Sequence, residues 1–166
     1  VPYATGSDTE TPLTVTSIDY DLDGDVDLVV SPASAGPFGG ATPYVVLNPG
    51  SGDLSEGTLV PLHGLKTDMR TTIMTPIDLN GDGLQDLVMG SANGNAEAWI
   101  NPGVGANPED ATTFEFPSSF EVTDITTADI NKDGVEDLIM VSAFQNVVRK
   151  ILSPVSAGDE MGPSSA

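Results

Sequence analysis

Three short segments of the chain carry oxygen donors at alternate positions: Asp19-Tyr-Asp-Leu-Asp-Gly-Asp-Val-Asp27, Asp78-Leu-Asn-Gly-Asp-Gly-Leu-Gln-Asp86 and Asp129-Ile-Asn-Lys-Asp-Gly-Val-Glu-Asp137. A hard cation such as Ca²⁺ takes about six to eight oxygen ligands, and acids alternating around a tight turn deliver several of them from one segment. In the first segment the candidate ligands are the side chains of Asp19, Asp21, Asp23 and Asp27, with the backbone carbonyl of Asp25. In the second they are Asp78, Asn80, Asp82 and Asp86 with the Leu84 carbonyl. In the third they are Asp129, Asn131, Asp133 and Asp137 with the Val135 carbonyl. Gly24, Gly83 and Gly134 each follow the third donor, where the chain turns sharply and a residue tolerating positive φ is favoured. The expected load is therefore up to three Ca²⁺ ions. The first is expected to bind tightest, because its segment offers four carboxylates where each of the others offers three and a neutral Asn.

Two other readings of these segments compete. An EF-hand loop opens with the same alternation, but it requires a bidentate Glu at the twelfth position and a helix on either side. Here the twelfth positions are Val30, Met89 and Met140, all apolar, and the closing carboxylate stands at position nine. The plainer reading is a set of polar Asp-Gly turns with no ion. One such turn would sustain it, but three with the same donor order argue against it, since uncompensated carboxylates converging on one turn repel one another.

The elements that must position these loops follow from the flanking residues. The three segments superimpose without gaps, at spacings of 59 and 51 residues, so the chain is an internal repeat. Each loop is followed by a short β-type run, Leu28 to Val30, Leu87 to Met89 and Leu138 to Met140. A second β-rich run follows at Tyr44 to Leu47, Ala96 to Ile100 and Val147 to Leu152, and in the first two repeats it ends in Asn-Pro-Gly, a turn signal. Ahead of the loops, residues 12–18, 70–77 and 120–128 read as strands, and weaker strands are expected around Thr58 to Leu62 and Thr113 to Phe116. Asn93-Gly94 is a tight-hairpin signal, and no segment has a helical period. Each repeat thus reads as a four-stranded antiparallel unit. The third lacks its last strand, because residues 154–166 form a Pro-, Gly- and Ser-containing tail expected to be flexible.

Composition narrows the partners. With 25 acidic against 5 basic residues in 166, and a formal charge of −20, nucleic acid and anionic membrane surfaces are excluded as natural partners, and cations are favoured. A generally acidic solvated surface would scatter these charges, whereas ten of the acids fall at loop ligand positions. There is no cysteine, which removes disulfides and thiolate chemistry. No apolar run approaches the roughly 18 residues of a membrane span, so no membrane insertion is expected. The first residue is Val, as in a mature form from which a targeting segment has been removed.

The signature Asp-x-Asx-x-Asp-Gly-x-x-Asp-Leu, followed by an apolar strand and then a strand ending in Asn-x-Gly, resembles the FG-GAP or VCBS repeats of integrin-α-like propellers. The resemblance covers about residues 12 to 153. It implies an all-β fold of propeller-type blades, each of four antiparallel strands, with Ca²⁺ in the loop joining strands one and two. The expected organisation is one domain over residues 1–153, with blades at about 12–62, 70–116 and 120–153. Three blades do not close a ring, which generally takes about four to eight. The chain is therefore expected to be a fragment, or an open arc completed by a second copy or a protein partner. Val1 to Thr5 is a candidate outer strand for a neighbouring blade.

The function expected from this reading is a calcium-binding structural or protein-interaction subunit, not an enzyme. The chain has a single histidine, His63, in a connecting segment, and no nucleophile-elbow motif. One alternative is a calcium-dependent carbohydrate-binding propeller, for which a single Trp and 5% aromatic residues are a thin supply of stacking platforms. The other is a non-catalytic fragment of a larger secreted enzyme. The face opposite the loops, formed by Ser31 to Thr42 with Phe38 and by Leu62 to Arg70 with His63, Lys66 and Arg70, is the candidate recognition surface. Weak calcium loops suit an extracellular or secreted protein, or an organelle or periplasmic lumen.

Overall fold

A computed structural model of the chain describes residues 12–32, 42–65, 71–91, 96–116, 122–143 and 145–151. The short runs rich in Val, Ile, Leu and Thr form strands, because β-branched side chains pack well on a pleated surface. Three antiparallel sheets result, none closed into a barrel. The first runs β1 (Pro12–Ile18), β2 (Asp27–Pro32), β3 (Tyr44–Leu47) and β4 (Thr58–Pro61) in that spatial order. The second repeats this with β5 (Thr71–Ile77), β6 (Asp86–Ser91), β7 (Ala96–Ile100) and β8 (Thr112–Glu115). The third has β9 (Asp124–Ala128), β10 (Asp137–Ser142) and β11 (Val147–Ile151), and among the described residues no fourth strand. Each sheet is one blade, and each Asp loop is the hairpin turn between its first two strands. β1 lies beside β5 and β5 beside β9, so the first strands line up along the inner side of the arc.

The blades stack face to face through two apolar cores. Between blades 1 and 2, Ile18, Tyr20, Val29 and Val45 meet Met74, Leu87, Met89 and Trp99. The rings of Tyr20 and Trp99 stack at a centroid distance of 6.2 Å, and the Trp99 indole Nε1–H donates to the His63 carbonyl at 3.1 Å. Between blades 2 and 3, Ile77, Leu79, Val88 and Ala98 meet Ile125, Leu138 and Met140. This junction is tight at Gly90, where an added Cβ would lie 2.9 Å from both Val122 Cβ and Ile73 Cγ2.

Burial along the second strand of each blade records its neighbours. Every residue of β6 in the middle blade is buried, because both of its faces are covered. In β2 the residues facing blade 2 are buried while Leu28 and Val30 are half-buried. In β10 the half-buried residues are Ile139 and Val141, on the face away from blade 2. The arc thus ends in two incompletely covered apolar faces of opposite hand.

Two short 3₁₀ turns, Leu54–Glu56 and Pro108–Asp110, follow the Asn-Pro-Gly turns in blades 1 and 2 and had no counterpart in the sequence reading. Asp53 and Asn107 cap them, each side chain accepting a hydrogen bond from the backbone N–H two residues on. Val1 to Thr5, Phe38, Lys66, Arg70, Asn93-Gly94, Leu152 and the tail 154–166 lie outside the described residues.

Candidate metal centre

The three Asp loops share one backbone path. Positions four and six of each take positive φ: Leu22 (58°) and Gly24 (91°), Gly81 (79°) and Gly83 (87°), Lys132 (66°) and Gly134 (92°). The sixth position is Gly in all three, as the sequence suggested. The fourth was missed, because only the second loop marks it with Gly. The two left-handed residues turn the chain back on itself; in the first loop this brings the carboxylates of Asp19 and Asp21 to Asp27, while exposed Asp23 stands outside that group.

The fifth-position carboxylate fixes this turn in every loop by accepting the seventh-position N–H: Asp23 Oδ1 from Asp25 at 2.8 Å, Asp82 Oδ1 from Leu84 at 2.8 Å and Asp133 Oδ1 from Val135 at 2.9 Å. Asp25, whose carbonyl is the candidate ligand, directs its carboxylate toward the Asn48–Gly50 turn, since a Cβ on Gly50 would lie 2.7 Å from Asp25 Oδ2.

The ninth-position Asp has a part that the sequence reading did not assign. Asp27 accepts from the Tyr20 N–H at 2.8 Å and, through its other oxygen, from the Asn48 N–H at 2.7 Å. Asp86 does the same with Leu79 at 2.9 Å and Asn101 at 2.8 Å. Asp137 accepts from Ile130 at 2.8 Å. Each of these fully buried carboxylates ties its loop down, and in blades 1 and 2 it ties the loop to the end of the third strand. The first Asn of Asn-Pro-Gly is thus a site partner as well as a turn residue. In Asp27 and Asp86 each oxygen takes one of these bonds and retains a second lone pair, so the brace leaves room for a cation, whereas Asp137 Oδ2 also accepts from the Asn131 N–H at 3.4 Å.

Burial raises the pKa of Asp27 despite these N–H groups, and the neighbouring carboxylates of Asp21 and Asp23 push in the same direction. In Asp86 burial, reinforced by Asp82 and Asp78, carries the pKa up to about 6. These surroundings disfavour negative charge, which a bound cation would reverse.

The loops differ in how their remaining oxygens are satisfied. In the second, Asp78 accepts from the loop's own Gly81, Asp82 and Gly83 N–H groups at 2.7, 3.2 and 2.9 Å, and Asn80 Nδ2 donates to Asp82 Oδ2 at 2.8 Å. The third repeats this pattern with Asp129, Lys132, Asp133, Gly134 and Asn131. In the first, Asp21 replaces the Asn and has no N–H to give. Asp19 Oδ1 and Asp21 Oδ1 are buried atoms without a hydrogen-bond partner. Ligand oxygens of Asp19, Asp21 and Asp27 lie within 4.8 Å of one another, the one such group of three acids among the described residues. An all-oxygen cluster with orphaned, buried acceptors fits a hard divalent cation.

The opposite face is described only in part. His63 stands at a half-buried turn where its carbonyl holds the indole, and the single Trp is itself fully buried and so removed from any ligand-stacking role.

Comparison with known proteins agrees with this architecture. The model of the FG-GAP-like repeat matches residues 19–89 and 78–140, each match running from one Asp loop through the strand after the next. A search of curated proteins finds no match. With the two matches spanning residues 19–140 of the 166, the chain belongs to the FG-GAP-like repeat family.

Proposed function

We infer that the chain is a non-catalytic, calcium-pinned structural or interaction module, in which each Asp loop holds one Ca²⁺. The reading rests on Asp19 Oδ1 and Asp21 Oδ1, buried without partners beside Asp27. A cation there replaces the missing donors and removes the mutual repulsion of the cluster. The side chains of Asp19, Asp21, Asp23 and Asp27 and the Asp25 carbonyl hold the first ion. Asp78, Asn80, Asp82, Asp86 and the Leu84 carbonyl hold the second. Asp129, Asn131, Asp133, Asp137 and the Val135 carbonyl hold the third. Bound this way, calcium pins the turn between the first two strands of every blade, and weak sites of this kind suit an extracellular or lumenal setting.

Titration calorimetry and thermal melting test the reading together. Up to three ions are expected to bind, the first most tightly. Because an ion bound only by the folded chain stabilises it by about 2.7 kcal/mol at a hundred times its Kd, chelation is expected to lower Tm by several degrees. Absence of binding heat together with an unchanged melting curve in excess chelator would refute it.

A further inference from the structure

The repeat spacings of 59 and 51 residues carry each position of one blade junction onto the other. At the end away from the Asp loops, the junction between blades 2 and 3 brings together Ile73 and Gly90 of blade 2 and Val122, just ahead of β9. In the junction between blades 1 and 2 the same three places belong to Thr14, Ser31 and Thr71. The ladders agree with this correspondence, since Thr14 pairs with Ser31 as Ile73 pairs with Gly90. Where one junction has an apolar trio, the other has three hydroxyls.

Two of these hydroxyls face each other's blade. Ser31 stands two residues beyond Val29 on β2 and so lies on the same side of the sheet, toward blade 2. Thr71 pairs with Ser91, which stands two residues beyond Met89 on β6 and so lies toward blade 1. Ser31 and Thr71 are both 0% exposed, and Thr14 beside Ser31 is half-buried. Neither Ser31 Oγ nor Thr71 Oγ1 has a hydrogen-bond partner among the described residues. Buried hydroxyls are seldom left so, because an unmade bond costs the full desolvation of the group.

The packing leaves space between them. A Cβ on Gly90 would come within 2.9 Å of Val122 Cβ, closer than real Cβ atoms approach. Ser31 carries that Cβ, so blades 1 and 2 must stand further apart at this point than blades 2 and 3. A hydroxyl both donates and accepts, and a molecule that joins several of them in a buried gap must do the same and be small. Water meets both conditions, and it is held where two to four polar partners converge.

We propose that one buried water bridges Ser31 Oγ and Thr71 Oγ1 across the junction of blades 1 and 2, with Thr14 Oγ1 as its third partner. It fastens this junction at the end away from the loops, as Asn101 Nδ2 fastens the loop end by donating to the Tyr20 carbonyl at 3.2 Å. The matching end of the second junction has no use for it, because Gly90 lets the blades meet directly. The inference is independent of the calcium sites.

A crystal structure of the full chain that orders internal waters is expected to show one peak within hydrogen-bond distance of both Ser31 Oγ and Thr71 Oγ1. The two hydroxyls bonded directly to each other, with no peak between them, would overturn the proposal. Melting of conservative variants gives a second test. Thr71→Val keeps the shape and removes one partner of the water, and it is expected to lower Tm by about 2–4 °C, the shift that one lost hydrogen bond gives a chain of this size. A Tm that rises instead means that an orphaned hydroxyl was removed, and the bridge fails. Ser31→Ala combined with Thr71→Val is expected to lower Tm by less than the two single changes added together, because both act on one shared molecule. Strict additivity would show that the two hydroxyls have no common partner.

Discussion

The first Asp loop and the other two follow the same backbone path and differ in what completes them. In the second and third loops, Asn80 and Asn131 supply an amide hydrogen to the neighbouring Asp, and the leading Asp is wrapped by three backbone N–H groups. In the first loop Asp21 takes the place of that Asn, and two buried carboxylate oxygens have no hydrogen to accept. A change of one atom type at position three thus separates a turn held by its own hydrogen bonds from one left with two buried oxygens that lack a partner. What the loops share is the ninth-position brace, which ties down all three hairpins.

The largest expected effect tests the shared part. Asp86→Ala leaves the Leu79 and Asn101 N–H groups buried without an acceptor, and each such orphan costs about 1–3 kcal/mol. Urea unfolding of the ion-free variant is expected to show a loss of roughly 2–4 kcal/mol. Asp27→Ala is expected to match it, and a clear difference between the two would mean that the brace is not common to both loops.

Exchanging position three tests the difference directly. Asp21→Asn gives the first loop the donor that Asn80 supplies in the second, so the ion-free protein is expected to gain about 1 kcal/mol while its calcium-dependent rise in Tm shrinks. Asn80→Asp is expected to do the reverse. Ion-free Asn80→Asp protein as stable as the parent would erase the distinction.

The pH response follows from Asp86. Its carboxyl in the folded chain, at about 6, lies above the ordinary carboxylate value, so between the two values the folded state binds more protons than the unfolded state. The stabilisation is therefore complete at the acid end and is lost as the pH rises through 6. Melting of ion-free protein is expected to show Tm falling from pH 5 to pH 7. Saturating Ca²⁺, which favours the ionised carboxylates, is expected to reverse that slope.

The smallest effect concerns the turn itself. Leu22 holds φ of 58° at the position that Gly81 occupies in the second loop. Leu22→Gly is expected to stabilise the chain by roughly 0.5–1 kcal/mol, because a side chain at positive φ costs more than glycine's added freedom in the unfolded chain. A loss of stability in the same melting assay would show that Leu22 makes contacts that outweigh the strain.

Much of the fold was legible because its signals are local. Tyr44–Leu47 and Ala96–Ile100 were bounded in the sequence as they stand in the structure, being short β-rich runs stopped by Asn-Pro-Gly. The strand before the third loop begins later than its sequence suggested, at Asp124. The 3₁₀ turns escaped notice because three residues are too few to show a period. The pairing of Asp86 with Asn101 was hidden for a different reason: nothing in an Asn-Pro-Gly motif says which carboxylate its N–H will meet.

The sequence by itself determined the three loops and their donor order, because nine consecutive residues contain every candidate ligand and the turn that gathers them. It also determined the repeat and hence the blade. Only the tertiary structure decided which oxygens are satisfied and which are not, since that depends on whether an amide hydrogen or another carboxylate arrives at the same point. It decided as well that Asn101 bonds to Tyr20 across 81 residues, while its counterpart Asn48, at the end of the arc, has no described neighbouring blade to meet. Such bonds join groups that only blade stacking brings together, and stacking is a property of the assembled faces rather than of any one repeat.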